Sequence, residues 1–313
     1  MAQHFGQQFT IATAGEAAEL ATEIQQLTRT ATAADGLPPF NEETLLKLAQ
    51  RQAVTARDAS GSLLGAALYH VDTVAHAEGM IMAELVVHPH ARRRRVGTAL
   101  ARELTSLLTT HAARQLQVWA HGSLPGSREL AASLGATATR ELYVLALPLR
   151  APLRQPDLPA GMQIRAFDAD RDARAWVALN AKIFAAHPEQ GRLQLADLEA
   201  RMRQPWFNSA DFLVLTADDE LAGYCWCKID GDEYEIYVVG VAPNLAGQGL
   251  GRTLMNAGLN RLLERGAKRA ILYVDGSNTP AMSLYRRLRF VTERLDVQYF
   301  LDRTTVETSS ATN

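Results

Sequence analysis

The chain has 313 residues, 47% of them hydrophobic and 21% charged, with a formal net charge of −2. That length suits two domains of ordinary size with real cores, and the near-neutral balance argues against nucleic acid or an anionic membrane as partner. No apolar run approaches the roughly eighteen residues of a spanning helix.

From the N-terminus, MAQHFGQQFTIATAGEAAEL lacks the basic stretch and apolar core of a secretory signal, so a cytoplasmic protein is expected. Residues 85–100, LVVHPHARRRRVGTAL, read as an apolar strand, a proline, a polar turn, a glycine and the start of a helix. The four arginines at 92–95 are either a solvated turn or a charged grip on phosphates. A nucleic-acid patch would want interleaved aromatics or a basic domain. LPLRAPLRQPDLPAG, residues 147–161, carries four prolines and reads as an extended linker. The expected domains are 1–148 and 161–303, joined by a linker at 149–160, and the polar tail TTVETSSATN, 304–313, is expected to be disordered.

In the second half the pattern predicts a strand over Met162 to Ala166, helices over Ala173 to Phe184 and Leu195 to Met202, and strands over Phe212 to Thr216 and Gly223 to Lys228. A strand over Tyr234 to Val241, a helix over Gly251 to Arg265, a strand over Arg269 to Val274, a helix over Thr279 to Leu288 and a strand over Leu295 to Phe300 follow. Antiparallel strands come first and helix-bridged crossovers later, which suits a mixed, mostly antiparallel sheet flanked by helices, an α/β (mixed α+β) class. Cys225 and Cys227 are two apart on a predicted strand and share a face. They are expected to pack rather than to form a disulfide or hold a metal.

VVGVAPNLAGQGLGRTL, residues 238–254, empties a strand into glycines at 247, 249 and 251 and then a helix. Unpaired N–H groups and the helix dipole make that an anion site, and glycine lets a phosphate chain approach bare backbone. A P-loop would need Lys and then Ser or Thr after the last glycine, where Arg252 and Thr253 stand. A dinucleotide fingerprint would need a small residue at Leu254, although Asp275 is in range for its acidic partner.

Residues 85–100 repeat this segment. Pairing Pro89 with Pro243 gives an offset of 243 − 89 = 154, and the same offset pairs Gly97 with Gly251, Leu100 with Leu254, Trp119 with Tyr273, Leu130 with Leu284 and Leu134 with Leu288. Two copies of one fold are expected. DEYEIYVVGV, residues 232–241, carries Glu235 inside an apolar run, where a charge is costly unless paired or functional. Strict alternation would put Glu235, Tyr237 and Val239 on one face and Tyr234, Ile236 and Val238 on the other. Glu235 is thus either a proton acceptor or an edge-strand charge. The offset puts Ile81 opposite Glu235 and Ala131 opposite Tyr285.

The loop is close to Q/R-x-x-G-x-G/A, and LYVDGSNTPAMSLYRRLRF, residues 272–290, to a strand followed by Asn-x-x-Ala-x-x-x-Tyr-x-x-x-Gly-Phe. Both resemble signatures of the GNAT N-acetyltransferases, with Ala246 at the Q/R position and Arg289 at the last glycine as departures. AHPEQG (186–191), QPWFNSADFLV (204–214), GYCWCKI (223–229), YVVGVAPN (237–244) and LDVQYF (295–300) extend the likeness to the mycothiol synthases, a tandem GNAT family. It covers nearly the whole chain and is stronger in the second half.

The resemblance implies two tandem GNAT domains and transfer of acetyl from acetyl-CoA to the cysteinyl amine of cysteinyl-glucosaminyl-inositol (Cys-GlcN-Ins). It makes Glu235 the base and Tyr285 the acid. Acetyl-CoA would meet Val239, Gly240, Val241, Ala246, Gly247, Gln248, Gly249, Leu250, Gly251, Arg252, Asn278, Thr279, Pro280, Ala281, Met282 and Ser283. In the first half the corresponding groups are Leu85, Val86, Val87, Arg93, Arg94, Arg95, Val96, Gly97 and Thr98, in a domain without either catalytic group. Acceptor contacts would be Glu42, Glu189, Lys228, Glu235 and Tyr273; Glu42 alone reads equally well as a charge opening a helix. A monomer using no metal is expected. The alternatives are a GNAT enzyme for another amine or peptide N-terminus, and a non-catalytic acetyl-CoA-binding module.

Overall fold

The computed structural model describes residues 3–5, 9–73, 79–185 and 190–304, with backbone alone for the first three. In chain order the elements are β1 (Gln3–Phe5), β2 (Phe9–Glu16), α1 (Ala21–Asp35), α2 (Glu42–Leu46), β3 (Gln52–Arg57), β4 (Leu63–Asp72), β5 (Met80–Val87), α3 (Val96–Thr110), β6 (Gln115–Ala120), α4 (Pro125–Ser133) and β7 (Thr137–Pro148). Then follow β8 (Met162–Ala166), α5 (Ala169–Ile183), α6 (Leu195–Met202), β9 (Phe212–Ala217), β10 (Glu220–Asp230), β11 (Glu233–Val241), α7 (Leu250–Glu264), β12 (Arg269–Asp275), α8 (Thr279–Arg287) and β13 (Val291–Asp302). The chain divides into two compact units, Met1–Leu142 with Arg294–Asn313, and Tyr143–Glu293.

In the first unit β1 to β5 form consecutive antiparallel pairs and β5 pairs parallel with β6. α3 covers one face, burying Leu100, Leu104 and Leu107 against Ile81 and Leu116. α1 covers the other with Ile24, Leu27 and Ala31 against Leu68 and Val86. Each helix offers its apolar stripe at three- and four-residue spacing. The sheet is completed from the far end of the chain, because Val297–Asp302 of β13 pair antiparallel with β6. The expected boundary at 303 is therefore corrected: the strand after Glu293 finds its ladder in the first unit.

That strand also brings Asp296 to His121. The imidazole lies with Nδ1 3.0 Å from Asp296 Oδ2 and Nε2 2.6 Å from Glu84 Oε1, all three residues being buried or nearly so. Burial alone would pull the imidazole down, but its bonds to the two carboxylates outweigh that and push it up to about 9. The cluster therefore holds an imidazolium at neutral pH.

In the second unit β8, β9, β10 and β11 pair antiparallel in order and β11 meets β12 in parallel. The end of β7 adds Val144 and Ala146 against Ile271. α7 and α8 bury Leu254, Leu259, Met282 and Tyr285 on one face. On the other, α5 and α6 cover Trp176, Phe212, Tyr224 and Trp226. α5 begins four residues before the predicted start because Asp168 caps it, accepting from Asp170 N and Arg171 N.

Residues 149–160, after the end of β7, form no helix or strand, but they are no free tether. Asn260 of α7 accepts from Leu153 N at 2.7 Å and donates to Leu153 O at 2.8 Å. Asn256, one turn earlier, donates to Arg154 O at 2.7 Å. Proline removes the donors that would build a strand here, and two helix asparagines satisfy backbone groups that remain. The segment belongs to the second unit. The expected disordered tail lies, from residue 305, outside the described residues.

Candidate active site

β11 and β12 share a single register pair, Glu235 opposite Ile271. The equivalent parallel pair of the first unit, β5 with β6, runs through five, from Met80 opposite Gln115 to Glu84 opposite Trp119. Beyond Glu235, β11 keeps its ladder with β10 through Val241, and among the described residues it has no register partner on the β12 side. Backbone groups of Val239 to Val241 on that edge are thus available to an extended ligand with amides of its own.

Tyr237 is a bulge. Trp226 opposes Val238 and Cys227 opposes Ile236, leaving Tyr237 as the extra residue of β11. Tyr234 and Ile236 pack into the α7 core, Tyr237 and Val238 both into the aromatic core under α5 and α6, and Val239 and Val241 return to the α7 core. This corrects the strict alternation expected from the sequence: Val239 does not share the face of Glu235, because the bulge reverses the period.

Glu235 is 6% exposed. Its register partner on β10 is Lys228, whose Nζ lies 5.0 Å from the Trp206 ring centre and 5.7 Å from that of Tyr237. The Arg201 Nε–H donates to Tyr237 Oη at 2.9 Å. Tyr273 lies two residues beyond Ile271 on β12, and since Leu272 and Val274 enter the α7 core, its exposed side chain stands on the Glu235 face.

Tyr285 lies on α8, buried on the α7 face of the sheet with its ring 5.8 Å from Phe290. Burial pushes its phenol pKa up, so it stays protonated at neutral pH. α8 is started by Asn278, whose side chain accepts from Ala281 N, and by Pro280 in the first turn. At the expected glycine, Arg289 takes φ 68, so the turn into Phe290 is kept with an arginine in the left-handed region.

The loop before α7 presents Gly247 at φ 81 and Gly249 at φ 80, and a Cβ on either would meet nothing within 4 Å. Gly249 is the N-cap of α7 and offers no side-chain acceptor to the first-turn N–H groups. Open space, bare backbone and a helix N-terminus together fit a pyrophosphate. The first unit repeats this backbone without the glycines: Arg93 at φ 60 and Arg95 at φ 66 stand 154 residues before Gly247 and Gly249. Arg92 is occupied elsewhere, in a two-pronged bond to Asp35 at 2.6 and 2.7 Å.

Residues 21–136 and 176–290 match the Acetyltransferase (GNAT) family. A mycothiol acetyltransferase of Clavibacter sepedonicus is 45% identical over 283 residues, covering 88% of this chain and 90% of that protein. One from Salinispora tropica is 44% identical over 290 residues, covering 89% and 92%. The chain belongs to the GNAT acetyltransferase family, in its mycothiol acetyltransferase branch. In fold, the acetyltransferase is similar to a tandem GNAT protein from the clavulanic acid biosynthesis pathway, with TM-score 0.71 at 20% identity over 94% of this chain and 98% of that one. A GCN5-related N-acetyltransferase from Sphaerobacter thermophilus gives TM-score 0.67 at 22% identity, covering 94% and 96%.

The second unit of the acetyltransferase therefore gathers Glu235, Lys228 and Tyr273 on one face of the sheet, Tyr285 on the other, and the glycine loop at the strand's end. Glu189 lies outside the described residues. Glu42 lies in the first unit, opening α2 behind the Asn41 cap, where an acidic residue also suits a helix start. Ile81 is buried in the α3 core and Ala131 stands on α4. The cysteines are free and buried, packed against Gly258 of α7. Among the described residues no group of three or more His, Cys, Asp or Glu could hold a metal ion, and no helix is long and apolar enough to cross a membrane. No site role for Trp206, Tyr237 or Arg201 was legible in the sequence, although Tyr237 stands two residues from Glu235 and Trp206 lies in the QPWFNSADFLV segment.

Proposed function

We propose that the protein is a mycothiol acetyltransferase, moving acetyl from acetyl-CoA to the cysteinyl amine of Cys-GlcN-Ins and releasing mycothiol and CoA. The observation that carries this is the 45% identity to a mycothiol acetyltransferase over most of both chains, with Glu235 buried where the parallel pair of the second unit ends. Acetyl-CoA supplies the acetyl group already activated as a thioester. The β11 edge at Val239 to Val241 holds its extended arm, residues 246–252 its pyrophosphate, and the α8 start at Asn278 to Ser283 further groups of the coenzyme.

The acceptor α-amine, with a pKa near 7.7 to 8.0 in free form, is mostly an ammonium at neutral pH and has no lone pair to offer. The Glu235 carboxylate takes one proton, directly or through one water, leaving the electron pair on nitrogen. The nitrogen attacks the thioester carbon and the carbon–sulfur bond breaks. Tyr285, kept protonated by burial, gives its phenolic proton to the departing sulfur and is restored by the second proton lost from the acetylated nitrogen. Lys228 and Tyr273 offer a charge and a hydroxyl to the polyhydroxylated acceptor. The first unit holds acetyl-CoA on residues 85–87 and 93–98 without transferring from it, since Ile81 and Ala131 replace base and acid. A cytoplasmic monomer is part of the same proposal.

The test is release of free thiol from acetyl-CoA by the purified chain, offered Cys-GlcN-Ins or a panel of simple amines, with product mass as confirmation. Turnover confined to Cys-GlcN-Ins is expected. Turnover of another amine alone would keep the mechanism and overturn the acceptor.

A further inference from the structure

The identity of the base leaves open what keeps it ionised. Glu235 is buried, and burial of a carboxylate favours its neutral form, which cannot accept a proton. Something beside it must favour the charge. Across the strand pair stands Lys228, at the separation of directly opposed residues, about 4.5 to 5.5 Å between Cβ atoms. A lysine carries its charge on four rotatable bonds, so a neighbouring Cβ does not by itself place the ammonium.

Here its placement is set by rings. Nζ lies over both Trp206 and Tyr237, whose ring centres are 5.3 Å apart. Tyr237 faces this way because it is the bulged residue, and Arg201, 7% exposed, bonds its hydroxyl while donating a second bond to Asp197 O. Trp206 in turn packs on Trp226, at 5.7 Å. Cations are drawn to ring faces by the π quadrupole, so the two aromatics form a bracket for the ammonium.

We propose that Trp206, Tyr237 and Arg201 are positioning residues that fix the Lys228 ammonium beside Glu235, so that its charge keeps the base ionised and disfavours the protonated form of the acceptor amine. The proposal rests on Glu235 being the base. Among the described residues, the charged or titratable groups assigned to the face of Glu235 are Lys228 on β10, Tyr237 on β11, Tyr273 on β12 and Arg201 of α6, while β7 contributes the apolar Val144 and Ala146 beside Ile271. Asp230 and Glu233, paired at the hairpin end, are exposed. One cation thus acts on two protons in the same useful direction. It favours carboxylate over carboxylic acid, and it favours amine over ammonium.

The test compares Trp206→Leu, which keeps bulk but has no ring face, with Trp206→Phe and with Lys228→Met in the full chain. The acidic limb of kcat against pH reports groups in the ternary complex. It should move to higher pH by on the order of 0.5 to 1 unit in Trp206→Leu and Lys228→Met, and stay within a few tenths of wild type in Trp206→Phe. A slower Trp206→Leu with an unmoved limb, or a Trp206→Phe that behaves like Trp206→Leu, would reduce the bracket to packing and overturn the proposal. A second readout needs no turnover: the carboxyl 13C signal of labelled glutamate that disappears in Glu235→Gln is titrated in each variant. Its midpoint should rise in Lys228→Met, and an unmoved midpoint overturns the proposal even if Trp206→Leu fails to fold. If wild type ignores Cys-GlcN-Ins while this midpoint still shifts, only the proposed acceptor falls.

Discussion

An ammonium is not a nucleophile, and a buried carboxylate is a poor place to leave a charge; with Glu235 as the proposed base, each difficulty would relieve the other. On that proposal Lys228, its register partner on β10, compensates the carboxylate until the acceptor arrives with a proton to give. Replacing Glu235 with glutamine keeps shape and hydrogen-bonding capacity but removes the proposed proton acceptor. Glu235→Gln is expected to lower kcat on the order of a hundred- to a thousand-fold near neutral pH. Its calorimetric Kd for acetyl-CoA should stay within about two-fold, because the β11 edge and the glycine loop are untouched. A near-wild-type rate would take the base role from this residue. Glu235 was legible in the sequence because a charge inside an Ile, Tyr and Val run needs a reason. Trp206 and Arg201 were not, since an aromatic and an arginine near a helix end are ordinary until β11 bulges and turns Tyr237 toward them.

At the scale of elements, a helix, a strand or a loop is judged by what its backbone must do. Expected glycines are replaced by arginine at 95 and 289, yet both arginines take the left-handed conformation, at about 1 kcal/mol each. Reading the family's glycines as requirements therefore understated how faithfully the first unit keeps the loop. Period-two reading of β11 failed at a single residue, because one bulge reverses every side chain after it. Gly258 shows the opposite case, a glycine that no turn requires. It lies inside α7, where alanine is the better helix former by up to about 1 kcal/mol. A Cβ there would collide with Cys225 Sγ and stand 3.0 Å from Ile236 Cδ1 and 3.3 Å from Cys227 Sγ. Those neighbours are strand residues packed from both sides, so overpacking, at about 1 to 3 kcal/mol, should exceed the propensity gain. Gly258→Ala is expected to lower the denaturant midpoint of the second unit, and a rise in that midpoint would show that the helix can back away from the sheet.

For the whole molecule, the repeat at offset 154 revealed two copies of one fold but not which strands belong to which copy, since strand exchange leaves no trace in a comparison of sequence with itself. The first unit is finished by the last strand of the chain, and Asp296 on that strand clamps His121 from one side while Glu84 holds it from the other. Because the imidazole sits at about 9 in the folded protein against an ordinary 6.5, it binds its proton more tightly folded than unfolded. The stabilisation is complete below about pH 6.5 and is lost as pH rises from there through 9, amounting to on the order of 3 kcal/mol. Asp296 runs the other way: burial opposes but its bond to His121 prevails, its carboxyl is held low, and its contribution is lost only on acidification. Trp119 stacks on His121, with ring centres 6.5 Å apart, and is the first unit's own tryptophan, the others being Trp176, Trp206 and Trp226. Its fluorescence separates that unit's unfolding from the rest. With Trp176, Trp206 and Trp226 replaced by phenylalanine, the guanidinium midpoint read by Trp119 should fall between about pH 7 and pH 9.5, and with Asp296→Asn added it should start lower and fall less over the same range. Equal slopes for the two proteins would mean that His121 loses its proton without consequence for the first unit, and that the last strand is held by its backbone ladder to β6 alone.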